Sequence, residues 1–287
     1  MTGVSTLVPV RRGPRPMSPG TVATYAVAII VIALTVVPVL FTFLGGFRDN
    51  AQLNTDPAGL PHPWVLGNYR EMVTSAVFWR AMFNSAVIAV IATSLAVCLG
   101  AMAAFALSRY VFRGREGFYT LFTIGLLFPA GVASLPLYLL LRPMGLLENP
   151  LGVALPEAAF SLPITVVILR PFMRAIPAEI EDAAVVDGAS RLGFFWRILL
   201  PLSRPALMTV AILAFVTSWN AYLLPLLVLS DPNHFTLPLG VAAFQSQYSQ
   251  DVARILAYTG VSMLPALLFF LVAERRIVGG LAGSVKG

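Results

Sequence analysis

Charge is what this sequence has least of. Of 287 residues, 11% are charged, against roughly 25% in an ordinary soluble domain. Lysine is almost missing, with Lys286 the single example. A phosphate-cradling P-loop needs a lysine directly after its glycine. Lys286 follows Val285 and stands in no such frame. The chain therefore carries no Walker-type site, and any ATP it depends on is hydrolysed by another polypeptide. Cysteine is equally scarce. Cys98 is the only one, so no intrachain disulfide forms, and its place in an apolar run predicts a small core side chain. The two histidines, His62 and His234, fall on polar loops, and neither HExxH nor GxSxG occurs. Metal-dependent and serine hydrolysis have no recognisable site, and no catalytic residue and no metal site are expected.

What the sequence does have is apolar length. It is 58% hydrophobic, with a mean hydropathy of +0.83. A bilayer needs about 20 apolar residues per helix. Six runs meet or approach that: Ala23–Leu44, Asn84–Leu107, Phe118–Leu141, Leu151–Leu169, Pro205–Leu229 and Ile255–Ala273. The first is 22 residues long. A signal-peptide core spans about 7–15, so this run reads as a retained first span. The fourth is short and contains Pro156 and Pro163. The expected fold is an all-α integral membrane protein of six transmembrane helices at 21–287, preceded by a flexible Pro/Gly-rich arm at 1–20. No internal repeat is evident.

The net charge of +6 is not a nucleic-acid signal, because its arginines flank the apolar runs. Fourteen basic residues fall on the arm, the 108–117 loop, the 170–204 loop and the tail. Five fall on the other side: Arg48, Arg70, Arg80, Arg142 and Arg254. The positive-inside rule puts both termini and the 170–204 loop in the cytosol of a cell (plasma) membrane. The 45–83 segment is then exoplasmic. In it Tyr69, Met72, Val73 and Ala76 predict a short interfacial helix, with Trp64, Tyr69 and Trp79 as interface anchors. Gln245, Ser246, Gln247, Tyr248 and Gln250 mark a second polar platform at 230–254.

The 170–204 loop concentrates charge, with nine charged residues. It reads as two short helices. Pro177 suits a first helical position, and Glu179, Glu181 and Asp182 sit where the helix dipole favours negative charge. Gly188 takes the left-handed conformation without steric cost and stops the first helix. Ser190 caps the second. Spacing places Leu192, Phe195, Trp196 and Leu199 on one face, and Pro201 ends the helix.

Asp182-Ala183-Ala184, three residues, Gly188, nine residues, then Ile198-x-Leu200-Pro201 resembles the "EAA" loop of ABC importer permeases. Asp182 stands where that pattern has Glu. The resemblance extends through Asn68-Tyr69, Phe83-Asn84-Ser85, Leu135-Pro136-Leu137-Tyr138 and Trp219-Asn220. It reaches the ending Gly280-Leu281-Ala282-Gly283-Ser284-Val285-Lys286-Gly287, which is similar to the tail of the shorter permease in maltose-type importers. There Ala282 replaces the usual Thr. The resemblance implies a type I, MetI-like fold of bacterial or archaeal origin. Its implied partners are a second homologous permease, an ATP-binding subunit dimer using ATP and Mg, and an extracytoplasmic sugar-binding protein. It also implies that Glu181, Asp182, Ala183, Ala184, Asp187, Gly188, Phe194, Phe195, Ile198 and Pro201 couple to the ATPase.

Polar residues inside a membrane are costly and invite a functional reading. Glu157 is the one carboxylate well inside an apolar run. Either it meets substrate or a proton, or it lies near the exoplasmic end of the fourth span and reaches water. Trp219, Asn220 and Tyr222 resemble a sugar-path cluster, in which an aromatic face stacks on a pyranose and an amide serves hydroxyls. The other reading makes Asn220 an interhelical hydrogen-bond brace. An ion-coupled secondary transporter of a small polar solute is the alternative function. It calls for several intramembrane ionisable groups, and Glu157 alone qualifies.

Overall fold

A computed structural model describes residues 19–247 and 251–284. Residues 1–18 of the expected arm at 1–20, residues 248–250 of the second platform and the Val285-Lys286-Gly287 tail lie outside the described residues, and Pro19 and Gly20 of that arm open the first helix. Among the described residues every regular element is helical. In order these are α1 (Pro19–Gly45), α2 (Asn50–Thr55), α3 (Gly67–Thr74), α4 (Ala76–Arg109), α5 (Arg115–Gly125), α6 (Ala130–Leu141) and α7 (Pro150–Ala175). Then come α8 (Ala178–Val186), α9 (Arg191–Phe194), a π-helical turn (Phe195–Leu199), α10 (Leu200–Leu202), α11 (Arg204–Trp219), α12 (Leu223–Val228), α13 (Leu237–Gln247) and α14 (Val252–Ser284).

Four helices, α1, α4, α7 and α14, are each long and apolar enough to cross a bilayer. Two further helix pairs are apolar and long enough together, but each is bent at a short break. The third expected span is broken, since α5 and α6 meet at 100°. Pro129 causes the break: it lacks an N–H and pushes Phe128 out of helical geometry. The fourth is longer than its apolar run suggested, and α7 continues for 26 residues through Pro156, Pro163 and Pro171. The fifth is not one helix from 205 to 229. It stops at Trp219 and resumes as α12. Asn220 sits at φ −92°, ψ 2°, and its side-chain amide donates to the Val216 carbonyl at 2.8 Å, a local alternative to the helix ladder. At its other end α11 turns through 79° from the α9–α10 segment.

The centre of the molecule is the pair α4 and α7. Along α4, Ser85, Ala89, Ala92, Ala96, Gly100 and Ala104 recur every three or four residues and are all buried. That stripe of small side chains lets backbones approach closely, the usual route to helix packing in lipid. The approach is tightest at Gly100, where a Cβ would lie 2.4 Å from Thr165 Cγ2. Cys98 contradicts its expected core place and is exposed. At 100° per residue it lies about 200° round the helix from Ala96, away from the stripe. Helix α11 packs across α4 and α7, α14 packs on α11, and α1 packs on α14. The rest of α1 keeps its apolar side chains outward, with Leu34 73% exposed.

At the end opposite the arginine-rich loops, α2 and α3 form a small platform. The expected short helix is α3, but Ala76 opens α4 instead, with Ser75 capping it through the Phe78 N–H. Trp64 and Trp79 are exposed, as interface anchors require. Tyr69 is not. It is half-buried and donates its hydroxyl to the Phe43 carbonyl at 2.7 Å. Burial pushes that hydroxyl up to about 12, so it stays a donor at ordinary pH. Beside it Asn68 donates to the Gly46 and Arg48 carbonyls.

Candidate coupling segment and intramembrane cavities

The 170–204 segment has the expected two-part form, and its turn is well defined. Pro177, Glu179 and Glu181 open α8. Gly188 closes it at φ +80°. The Gly188 N–H donates to the Val185 carbonyl at 3.0 Å and the Ala189 N–H to the Ala184 carbonyl at 2.8 Å. That pair of bonds is the Schellman arrangement, which requires a left-handed residue at this place. Ser190 Oγ then accepts from the Gly193 N–H at 3.1 Å and caps α9.

The second helix departs from the expected face. After Phe194 the chain widens into a π-turn, and the Leu200 N–H donates to the Phe195 carbonyl five residues back. Pro201 accounts for this. It has no N–H for the Arg197 carbonyl, and its ring would press on that carbonyl in a tighter turn. Pro201 does not end the helix; α10 continues to Leu202. The widened turn buries Phe194, Phe195 and Leu199 together, each at most 2% exposed, and leaves Leu192 and Trp196 at 64% and 54%. Phe195 stacks on Phe105 of α4 at 4.9 Å between centroids. The two phenylalanines therefore fasten this segment to α4 and α7, next to Leu169 and Met173. They are not surface groups.

Arg109 reinforces the attachment, and Arg170 ties α7 to α4 and α5. Arg109, at the end of α4, donates to the Met173 and Ile176 carbonyls at 2.9 and 2.8 Å and stands 3.6 Å from Glu181. Arg170 donates to the Leu107 carbonyl at 3.1 Å, bonds Glu116, and lies 3.9 Å over the Tyr119 ring. Glu181 and Ala184 thus face inward. Asp182, Ala183, Val185, Val186 and Asp187 face outward. Beyond Gly188 an open groove of about 530 Å³ runs along Ser190, Leu192, Trp196, Arg197 and Ile198. The arrangement is an acidic and apolar rim on a firmly seated base.

The four intramembrane candidates fall around two cavities that share Tyr222. One, of about 440 Å³, is lined by Trp219, Asn220 and Tyr222 with residues of α13 and α14. Trp219 is buried and stacks on Phe215 at 5.6 Å. Asn220 is exposed and bonds within its own helix, so it is no brace between helices in this chain. The second cavity, of about 220 Å³, holds Glu157 with Ser134, Thr217 and Tyr222. Glu157 is buried. It is 8% exposed, one oxygen accepts the Ser218 hydroxyl, and the other has no partner.

Residues 96–275 match the family model described as "Binding-protein-dependent transport system inner membrane component". The chain belongs to that family. Curated relatives cover nearly the whole length of this inner membrane component. The diacetylchitobiose uptake system permease protein NgcG of Streptomyces coelicolor is 34% identical over 90% of this chain and 86% of its own. The trehalose transport system permease protein SugB of Mycobacterium tuberculosis is 34% identical over 92% and 98%. The arabinooligosaccharides transport system permease protein AraQ of Halalkalibacterium halodurans is 34% identical over 88% and 92%. A crystal structure of a bacterial ABC transporter importing the acidic polysaccharide alginate shares the fold, with TM-score 0.75 and 22% identity over 91% of this chain and 99% of that one. The permease is thus an all-helical, multi-pass transport subunit.

Three partnerships in the permease escaped the sequence. Ser218 is an unremarked serine beside Trp219, yet it is the partner of Glu157. Arg109 and Arg170 carried a topological signal but no sign of the carbonyls they clamp. His234 sits 3.1 Å from Glu148, a pair joined across 86 residues.

Proposed function

We propose that this permease carries a saccharide inward as one half of the membrane pore of an ABC importer. A second, homologous permease completes the pore. A dimer of ATP-binding subunits, using ATP and Mg, docks on the outward rim of the 179–201 segment, and an extracytoplasmic binding protein delivers the sugar at the opposite face. Both termini lie on the ATPase side of a bacterial or archaeal cell membrane, an orientation that the arginine asymmetry supports. This chain binds no nucleotide itself.

The observation that carries the reading is the build of the 178–202 segment. Its base is fixed to α4 and α7 by Phe194, Phe195 and Arg109, while Asp182, Asp187, Leu192 and Trp196 are exposed beside a groove. Helix-in-groove docking uses apolar anchors for energy and charges for register. A helix lying on lipid would not place carboxylates against a negative leaflet. The sugar assignment is supported by relatives named for diacetylchitobiose, trehalose and arabinooligosaccharides. The test is co-purification from the native membrane. Recovery of an ATP-binding subunit, lost in Trp196→Asp with the permease still inserted, is the expected result. An intact permease that carries no ATPase under any condition refutes it.

A further inference from the structure

The 220 Å³ cavity lies where the membrane part of the fold is most irregular. The α5–α6 break at Leu126–Pro129 and the α11–α12 break at Asn220–Tyr222 both border it, and α7 crosses between them. Glu157 is the eighth residue of α7, about 10 Å from its start at 1.5 Å per residue. Its burial is more than nine-tenths complete, at 8% exposure. Oε2 accepts from Ser218, and Oε1 is buried with no donor. A buried carboxylate oxygen left unpartnered is costly, so a donor is missing from the cavity. The other walls are mainly apolar with a few polar groups. Phe160 and Tyr222 give aromatic surface, Ser134 and Thr217 give hydroxyls, and Leu224 is apolar. The volume is below the roughly 300–1,000 Å³ of sites for drug-sized molecules, so it takes one ring at a time.

We propose that Glu157, held by Ser218, is a selectivity residue of the transport path: its carboxyl group, on the wall of this cavity, bonds a hydroxyl of one ring of a neutral saccharide. This rests on the transport reading above. Among the described residues the lining offers no arginine, lysine or histidine to balance the carboxylate of an acidic ring, and burying an unpaired charge is costly. The cavity therefore admits neutral rings and turns away uronates, unlike the alginate importer whose fold it shares. Glu157 acts by direct contact, whereas Ser218 is a positioning residue that fixes the carboxylate.

The test is uptake by cells expressing the complete importer with its binding protein, using radiolabelled trehalose, maltose, diacetylchitobiose and an alginate trisaccharide. Wild type takes up at least one neutral sugar and not the uronate. For that sugar Glu157→Leu raises KM about tenfold or more, since it removes a charge-assisted acceptor, while complex yield and maximal rate hold within about twofold. Glu157→Gln keeps an acceptor oxygen and stays within about threefold. Unchanged KM in Glu157→Leu overturns the proposal, as does a loss confined to complex yield or wild-type uptake of the alginate trisaccharide. Uptake that Glu157→Gln abolishes and a protonophore blocks with ATP maintained also overturns it, since Glu157 would then carry a proton. Uptake of none of the neutral sugars by an assembled wild-type complex fails the sugar reading itself, and this assignment with it.

Discussion

Gly188→Val tests the coupling segment at the point where cause and effect separate most cleanly. A Cβ at Gly188 would meet nothing within 4 Å. The substitution therefore removes no packing and creates no clash. Its whole cost comes from φ +80°, a conformation that L-residues other than Asn and Asp visit at about 1–2 kcal/mol, and a β-branched one at the upper end. The Schellman bonds at Gly188 and Ala189 hold the angle between α8 and α9. A penalty of that size shifts the population of the bent form by roughly five- to thirtyfold. The base stays seated because Phe194, Phe195 and Leu199 lie beyond the turn. The expected outcome is normal insertion and normal thermal stability of the spans, with ATPase co-purification reduced or hydrolysis uncoupled from uptake. Gly188→Asn, which tolerates the left-handed region, should restore most of it. The reasoning fails if Val and Asn variants behave alike, or if Gly188→Val couples as well as wild type.

Three further outcomes follow from other parts of the fold. Gly100→Val should destabilise the α4–α7 pair by about 1–3 kcal/mol through overpacking, because Thr165 Cγ2 is 2.4 Å from the position of a Cβ; a wild-type melting temperature in detergent would contradict it. In a Cys98→Ala background, Ser190→Cys should react with an impermeant thiol reagent only from the cytosolic side and Ser230→Cys only from outside, and reversed labelling would overturn the orientation. The link between Glu148 and the 230–234 loop should weaken in acid. Burial of Glu148 draws its carboxyl upward, but hydrogen bonds from the Ser230 N–H, His234 and the Asp231 N–H outweigh it and hold the group below its ordinary range. A depressed folded pKa gives stability that is present above the ordinary value of about 4.3 and is lost as pH falls through the folded one. Amide exchange at Ser230 should therefore stay slow at neutral pH and quicken in that acid window, and Glu148→Gln should flatten the dependence.

What the sequence disclosed divides along physical lines. Gly188, Ser190 and the acidic first turn of α8 were legible because capping is local, and a few adjacent residues decide it. The spans were legible by apolar length, though not their breaks. Pro129 and Asn220 end helices inside apolar runs, while Pro156, Pro163 and Pro171 do not, and only neighbouring helices decide which prolines are tolerated. The face of α9 was misassigned because one π-turn shifts register. Spacing at 3.6 residues grouped Leu192 and Trp196 with Phe195, and the wider turn turned them outward. Cys98 failed for a related reason: an apolar run reports depth in the membrane, not which side of the helix meets α7. Glu157 stood out by composition as the one carboxylate well inside an apolar run, and it is buried. Its surroundings depend on Ser218, 61 residues away, and no local pattern encodes that meeting.

Those two regions are also mechanically continuous. From the π-turn the chain passes through α10 and the 79° bend at Ser203. Ser203 is fully buried there, with its N–H on the Leu199 and Leu200 carbonyls. Helix α11 then runs 16 residues, about 24 Å, and its last turn carries Ser218 against Glu157. Nothing in that run is a loose linker: each residue from Arg191 to Trp219 is helical except Ser203. In the proposed importer, a push on Leu192 and Trp196 is therefore delivered along a stiff element with one joint. The joint is at Ser203, and the far end of the element is one wall of the cavity that holds Glu157. Movement of α11 against α7 would separate Ser218 from Glu157, changing the carboxylate's hydrogen bonding when the path changes sides. That gives the buried pair a reason to be a single hydrogen bond rather than a salt bridge. A salt bridge removed from water is strongly destabilising to break, whereas one hydroxyl–carboxylate bond can break and re-form at little net cost.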